Sequence, residues 1–261
     1  MRPVLLLLLA LLLARPALAS TDPSDVLGIA YDQKPGATLP LDLRLADEAG
    51  EPVRLGDFIR GRPTLLALVY FHCPNLCGVV LGDLLTGLQA TGVVPGQDYD
   101  LLAVSIDPSE TPADASAAKN QHLMEFPTPG AAEGWHFLTG SETALASLEQ
   151  AVGYRARFDP SFKQFIHPAG VVVVTPDGRV ARYLLGVGYR ANDLKLGLLD
   201  ASTGAVATMT RAILLTCWHY DPTTGRYSLA ILNLLRLAAV LTVATIGGVL
   251  YLAFRREGRA R

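Results

Sequence analysis

Thr64-Leu-Leu-Ala-Leu-Val-Tyr-Phe-His-Cys73-Pro-Asn-Leu-Cys77-Gly-Val-Val-Leu-Gly-Asp-Leu-Leu85 is the stretch that decides how this chain folds. Leu65 to Phe71 is a short apolar run behind Arg62-Pro63, the pattern of a buried strand. Val79, Val80, Leu81, Leu84, Leu85 and Leu88 then recur at helical spacing. The spacing predicts a strand feeding a helix that ends near Leu88, with both cysteines at the turn between them. Pro74 suits the first helical position, where a missing N–H costs nothing. Cys73 then caps the helix and Cys77 lies one turn further in. The positive end of the helix favours a thiolate at Cys73.

The two cysteines are four residues apart, on one helix face, with Cβ atoms about 5–6 Å apart in a regular helix. A disulfide needs about 3.5–4.5 Å, so the first turn must distort for the pair to close. Two thiolates at the wider spacing suit a soft metal ion between them. A structural disulfide and two buried thiols are equally open readings, because Cys-x-x-x-Cys is a weaker signal than a metal-type Cys-x-x-Cys.

Working outward, Leu41, Leu43 and Leu45 alternate as in a strand, and Asp47-Glu48-Ala49-Gly50 turns it back. Asp100 to Ile106 reads as a second buried strand ending in Asp107-Pro108. Thr111-Pro112 opens a helix reaching about Glu125. Trp135 to Leu138 is a brief strand, and Ser141 caps a helix to about Val152. Val171–Thr175 and Val180–Leu185 flank Pro176-Asp177-Gly178, a hairpin signal. Strands alternating with helices, then a hairpin, predict one α/β domain, a sandwich of helices on a central sheet, over residues 39–190.

The ends of the chain differ from this middle. Met1-Arg2, the apolar run Val4–Ala14 and Ala17-Leu18-Ala19 form a secretory signal peptide over residues 1–19. Residues 20–38 read as an extended lead-in, and 191–228 as a helical linker broken near Ser202-Thr203-Gly204. Residues 229–254 read as a transmembrane helix, with Leu237–Phe254 free of charge and Arg236 able to snorkel. The basic tail 255–261 is expected in the cytoplasm, which predicts a single pass through the inner (cell) membrane with the globular domain in the periplasm or on the outer face.

The 261 residues carry a formal net charge of −2, and no basic, aromatic-laced patch points to nucleic acid. Three cysteines leave at least one without a partner in the chain and rule out a disulfide scaffold. Of five histidines, His167 in Gln164-Phe-Ile-His-Pro-Ala-Gly170 precedes the apolar strand at Val171. Taken alone, His167 reads as an ordinary loop histidine, but the loop before that strand can face the helix end that carries Cys73. Two sulfurs and one imidazole there suit copper, since thiolates favour Cu(I) and imidazole accommodates Cu(II). His72 lies beside Cys73 on the expected strand and reads as packing, because adjacent strand residues point to opposite faces.

Val69-Tyr-Phe-His-Cys-Pro-Asn-Leu-Cys77, Val104-Ser-Ile-Asp-Pro108 and Phe165-Ile-His167 ahead of Val-Thr-Pro-Asp-Gly178 resemble the Sco/SenC family, with the three blocks in the family order. The resemblance covers residues 39–189. It implies a thioredoxin-like fold and a membrane-tethered copper protein that helps assemble the binuclear copper centre of cytochrome c oxidase. Its implied partners are the copper-bearing oxidase subunit and other copper chaperones or thiol reductants. Cys73 and Cys77 resemble the family's thiolate ligands and redox disulfide, and His167 its imidazole ligand. Asp107 matches a strand-end acid and is a secondary candidate, equally readable as a turn residue before Pro108.

Three features depart from the family pattern. Gly78 stands where many members have Pro, Ile166 where many have an acid, and the expected anchor is C-terminal. The orienting carboxylate for His167 is therefore not evident in the sequence. A thiol–disulfide oxidoreductase using Cys73 and Cys77 without copper is the other function class the residues support. A peroxide-reducing enzyme needs a Thr and an Arg beside its reactive cysteine, and neither is found near Cys73. Cys217-Trp-His219-Tyr220 reads mainly as a membrane-interface segment.

Overall fold

The computed structural model describes residues 28–59, 61–72, 77–162 and 164–206, with isolated positions at 220–221, 226–227, 242, 245 and 247–248. The signal peptide, Cys73, Cys217, His219 and the basic tail lie outside the described residues, as does nearly all of the apolar run Leu237–Phe254. Among the described residues no helix is long and apolar enough to cross a membrane.

The chain opens with three short strands, β1 (Ala30–Tyr31), β2 (Arg44–Ala46) and β3 (Pro52–Arg54), and a 3-10 turn at Leu55–Asp57. β4 (Thr64–Val69) follows, then α1 (Cys77–Gln89) and β5 (Asp100–Ser105). Next come α2 (Pro112–Glu125), the short α3 (Ala131–Gly134), β6 (Trp135–Leu138) and α4 (Glu142–Val152). The chain continues through β7 (Tyr154–Arg155), β8 (Arg157–Asp159), β9 (Gln164–Ile166), β10 (Gly170–Val174), β11 (Val180–Leu185) and α5 (Ala191–Ser202).

The central sheet has the order β11-β10-β4-β5-β6. β4, β5 and β6 are parallel, whereas β10 runs antiparallel to both β4 and β11. Both faces are covered, which is why every residue of β4 and β5 is buried and their sequences read as unbroken apolar runs. Leu65, Ala67 and Val69 of β4 point to the face packed by Leu81, Leu84, Leu85 and Leu88 of α1 and Leu194 and Leu198 of α5. Leu66 and Leu68 point to the other face, packed by Leu145 and Leu148 of α4. The result is the expected sandwich of helices on a mixed sheet.

The helix caps were readable locally. Thr111 accepts from the Asp114 N–H while Asp114 accepts from the Thr111 N–H, a reciprocal cap, and Pro112 sits just inside. Ser141 accepts from the Ala144 N–H at the start of α4. Gly153 ends α4 in the left-handed region, and a Cβ there would stand 1.9 Å from the Asp32 carbonyl oxygen.

The structure differs from the sequence expectation at several boundaries. Residues expected as lead-in belong to the packed fold: β1 pairs with β7, and Tyr31 makes edge contacts with Tyr154 and Tyr183. α5, expected within the linker, buries Leu194, Leu198 and Ala201 in the core and ends where the Ser202-Thr203-Gly204 break was read. Of the alternating leucines only Leu45 lies in a strand; Leu43 donates to the Pro40 carbonyl in a turn, and Leu41 and Leu43 pack beneath the sheet from a loop. The β8–β9 hairpin carries no sequence signal of its own beyond Pro160 and Ser161 between its strands.

Candidate functional site

A strand that feeds a helix through a sharp turn leaves the first helical N–H groups without partners, and those groups favour anions. At the C-terminal end of β4, residues 70–72 lead toward α1, and the turn expected between them falls on residues 73–76, outside the described residues. Cys77 is the first residue of α1. Cys73, and with it the expected cap and the Pro74 position, falls outside the described residues.

The strand register brings His167 to the same end. β10 runs antiparallel to β4 with Val172 opposite Leu66 and Val173 opposite Leu65. β10 therefore enters the sheet at the end where β4 leaves it, and His167 stands three residues before Gly170, the first residue of β10. The rings of Tyr70 and Phe165, from the two segments, meet edge to face with centroids 5.9 Å apart, and Phe158 stacks edge-on behind Phe165 at 5.3 Å. The loop after His167 is pinned on both sides. The Gly186 N–H donates to the Ala169 carbonyl at 3.0 Å, and the Tyr31 hydroxyl donates to the Gly170 carbonyl at 3.1 Å.

His167 is half-buried, and its Nδ1 lies 3.2 Å from the Pro168 carbonyl oxygen. A carbonyl only accepts, so Nδ1 carries the hydrogen and the lone pair of the neutral ring is on Nε2. Burial lowers the imidazole pKa from its ordinary value, against a smaller opposing effect of the Pro168 hydrogen bond. Both features suit a nitrogen ligand for a metal: burial favours the uncharged ring, and a backbone carbonyl favours the tautomer with the hydrogen on Nδ1. The Pro168 main-chain carbonyl is thus one group that orients the ring.

Asp107 stands at the end of β5, where its carboxylate accepts from the Ser109 N–H at 2.8 Å and the Ser109 hydroxyl at 2.6 Å. That is a turn built on its own loop. The acid that reaches the cysteine turn is Glu110, which the sequence reading did not single out. Its Oε2 accepts from the Phe71 N–H at 3.1 Å and the Ser105 hydroxyl at 2.5 Å. Its Oε1 accepts from the His72 N–H at 2.7 Å and lies 3.0 Å from His72 Nδ1. Glu110 is 6% exposed.

The reading of His72 as packing is corrected. Its side chain is 59% exposed, with Nδ1 against Glu110 and Nε2 3.3 Å from Asp114. The alternation that assigned it to the interior applies only within a strand, and β4 stops at Val69. Hydrogen bonds from Thr111 hold the Asp114 carboxyl below the usual carboxylate range. His122 and His136 are elsewhere. His122 stacks on Phe137 and His136 packs against Phe58, and burial lowers both imidazole pKa values.

The sequence profile of the SCO1/SenC family matches residues 32–192. This chain belongs to the SCO1/SenC family. The matched span begins at Asp32, beside β1, and ends within the first turn of α5, so it covers the sheet, the Cys73–Cys77 turn and His167 together. Two solved structures from Aquifex aeolicus VF5, a proposed electron transfer protein and a proposed electron transport protein, resemble it at 26% and 27% identity. The first covers 66% of this chain and 96% of its own, with a TM-score of 0.57, and the second 66% and 99%, with 0.53. The copper-bound ScoI of Arabidopsis thaliana shares the fold at 18% identity, covering 65% of this chain and 98% of its own, with a TM-score of 0.51. No curated protein matches the sequence. For this SCO1/SenC member, the family span starts before Leu39, in keeping with the packing of Tyr31.

Proposed function

We propose that this protein is a membrane-tethered copper-binding factor for assembly of the binuclear copper centre of cytochrome c oxidase, acting as a copper chaperone, a thiol reductant or both. Cys73, Cys77 and His167 hold the ion, and Cys73 and Cys77 also form a reversible disulfide. The observation that carries this reading is His167, an imidazole whose burial favours the uncharged form and whose Nδ1 meets the Pro168 carbonyl, at the end of the sheet from which β4 leads to the cysteines. Two sulfurs and one nitrogen suit copper in either oxidation state. The thiols must be reduced before they bind, which links the two roles. The copper-bound ScoI of Arabidopsis thaliana, which shares the fold, supports the choice of metal.

The competing reading is a thiol–disulfide oxidoreductase with no copper role, and His167 discriminates between them. A dithiol exchanger does not need it. A copper titration of the domain and of His167→Ala, in both oxidation states, tests this. The variant is expected to keep Cu(I) on its two sulfurs with weaker affinity, to lose most Cu(II) binding, and to keep its capacity to form the disulfide. Oxidase assembly in cells should fall with it. Parent-like binding of both ions with normal assembly would transfer the function to the oxidoreductase.

The tether is the second part of the proposal. The Ala17-Leu18-Ala19 site, the uncharged Leu237–Phe254 run and the basic tail support a domain on the periplasmic face and a cytoplasmic C-terminus. A reporter fused after Arg261 should be active in the cytoplasm, and one fused after Tyr189 outside it. A reversed pattern, or a protein recovered free of membranes, defeats the tether.

A further inference from the structure

We infer that Glu110 is the positioning residue for Cys73: its carboxylate clamps the two residues that precede that cysteine, and this clamp tunes copper affinity and closure of the disulfide. This rests on the metal-and-dithiol reading above.

β4 ends at Val69, and the Ile106 N–H donates to the Val69 carbonyl as the last link to β5. Beyond it the N–H groups of Phe71 and His72 turn away from sheet partners and toward the β5–α2 loop. A buried N–H without an acceptor is costly, so something must meet them. Glu110 meets both, one on each oxygen. The Ser105 hydroxyl and His72 Nδ1 occupy the same two oxygens, so the carboxylate is surrounded by donors. Ser105 is itself the last residue of β5, and its backbone lies opposite Val69 in the parallel ladder. The clamp is thereby tied to the sheet on one side. On the other, Asp114, locked into the cap of α2, holds the far edge of the His72 ring.

Cys73 is the next residue after these two anchored positions. A ligand or nucleophile gains from being held in place before the reaction, and shared outer hydrogen bonds do this in metal sites. Glu110→Ala removes all four interactions. Glu110→Gln keeps the shape, but its NH2 faces one backbone N–H that can only donate, so that contact is lost, while the Ser105 hydroxyl or His72 Nδ1 on the same side can turn to accept.

The test compares Glu110→Gln and Glu110→Ala with Val152→Ala, a buried change on α4 at the opposite face of the sheet. The first readout is copper affinity. It should fall roughly tenfold to a hundredfold in Glu110→Ala, less in Glu110→Gln, and stay at the parent value in Val152→Ala even where its melting temperature drops as far. The second readout needs no metal. With Cys73 carrying glutathione in a mixed disulfide, the Cys77 thiolate attacks the Cys73 sulfur, the Cys73–Cys77 bond forms, and glutathione leaves as its thiolate. Quenched mass analysis should show this closing step slowed about tenfold in Glu110→Ala, the loss expected when a reacting group is no longer held, and unchanged in Val152→Ala. If the parent binds no copper while closure still slows, the copper reading fails and the positioning role stands. Closure at the parent rate in Glu110→Ala, or equal losses in Val152→Ala, overturns the positioning role.

Discussion

Cys73→Ser and Cys77→Ser should each abolish tight Cu(I) binding, the largest functional effect expected of any single change in this domain. Cu(I) is soft and gains most of its binding from thiolate sulfur. With one sulfur left, the site keeps a single thiolate and the His167 imidazole, a donor set that small-molecule thiols in solution match. The affinity should fall roughly a thousandfold or more, equivalent to about 4 kcal/mol. Each variant also loses the intramolecular disulfide, because the remaining cysteine has no neighbour to close on. The measurement is competition against a coloured Cu(I) chelator under reducing conditions, with peptide mass mapping of the oxidised parent. The map should show Cys73 joined to Cys77, with Cys217 outside the pair. Parent-like affinity in either serine variant, or a disulfide that includes Cys217, removes these residues from the site.

Leu84→Ala should cost about 2–5 kcal/mol of folding stability, the range for emptying a fully buried leucine site. Leu84 is completely buried on the inner face of α1, within the cluster built by Leu65 and Ala67 of β4 and Leu101 and Ala103 of β5. Parallel strands and the helix between them form a rigid layer that cannot close around the missing atoms. Against a typical net stability of about 5–15 kcal/mol this is a large fraction. Denaturant unfolding should show a lower midpoint at an unchanged slope. A loss below about 1 kcal/mol would mean that α1 does not pack on β4 as described. Because α1 begins at Cys77, its packing also determines how firmly one proposed ligand is based.

The sequence by itself determined the elements whose signals are local. The unbroken apolar runs of β4 and β5, the helical spacing of Leu81, Leu84, Leu85 and Leu88, the Thr111-Pro112 and Ser141 caps and the Pro176-Asp177-Gly178 hairpin all depend on neighbours within a few residues. Periodicity and capping act at that range, so they can be read before any fold is known. The cysteine pair and His167 stood out for the same reason: their residue types and flanking elements announce chemistry. The tertiary structure decided what depends on register between distant strands. The antiparallel pairing of β10 with β4 is what carries His167 to the end of the sheet where the cysteine turn starts, across a hundred or so residues of chain. It also shows a main-chain carbonyl orienting His167, which no acid in its own segment can do. Tyr31 and α5 look like flanking chain until their partners, Tyr154 and the β10–β11 face, are folded against them. Nothing in the local sequence singles out Glu110. Only the parallel pairing of β4 with β5 brings it beneath Phe71 and His72, where two backbone N–H groups need an acceptor and the chain supplies one from 39 and 38 residues away.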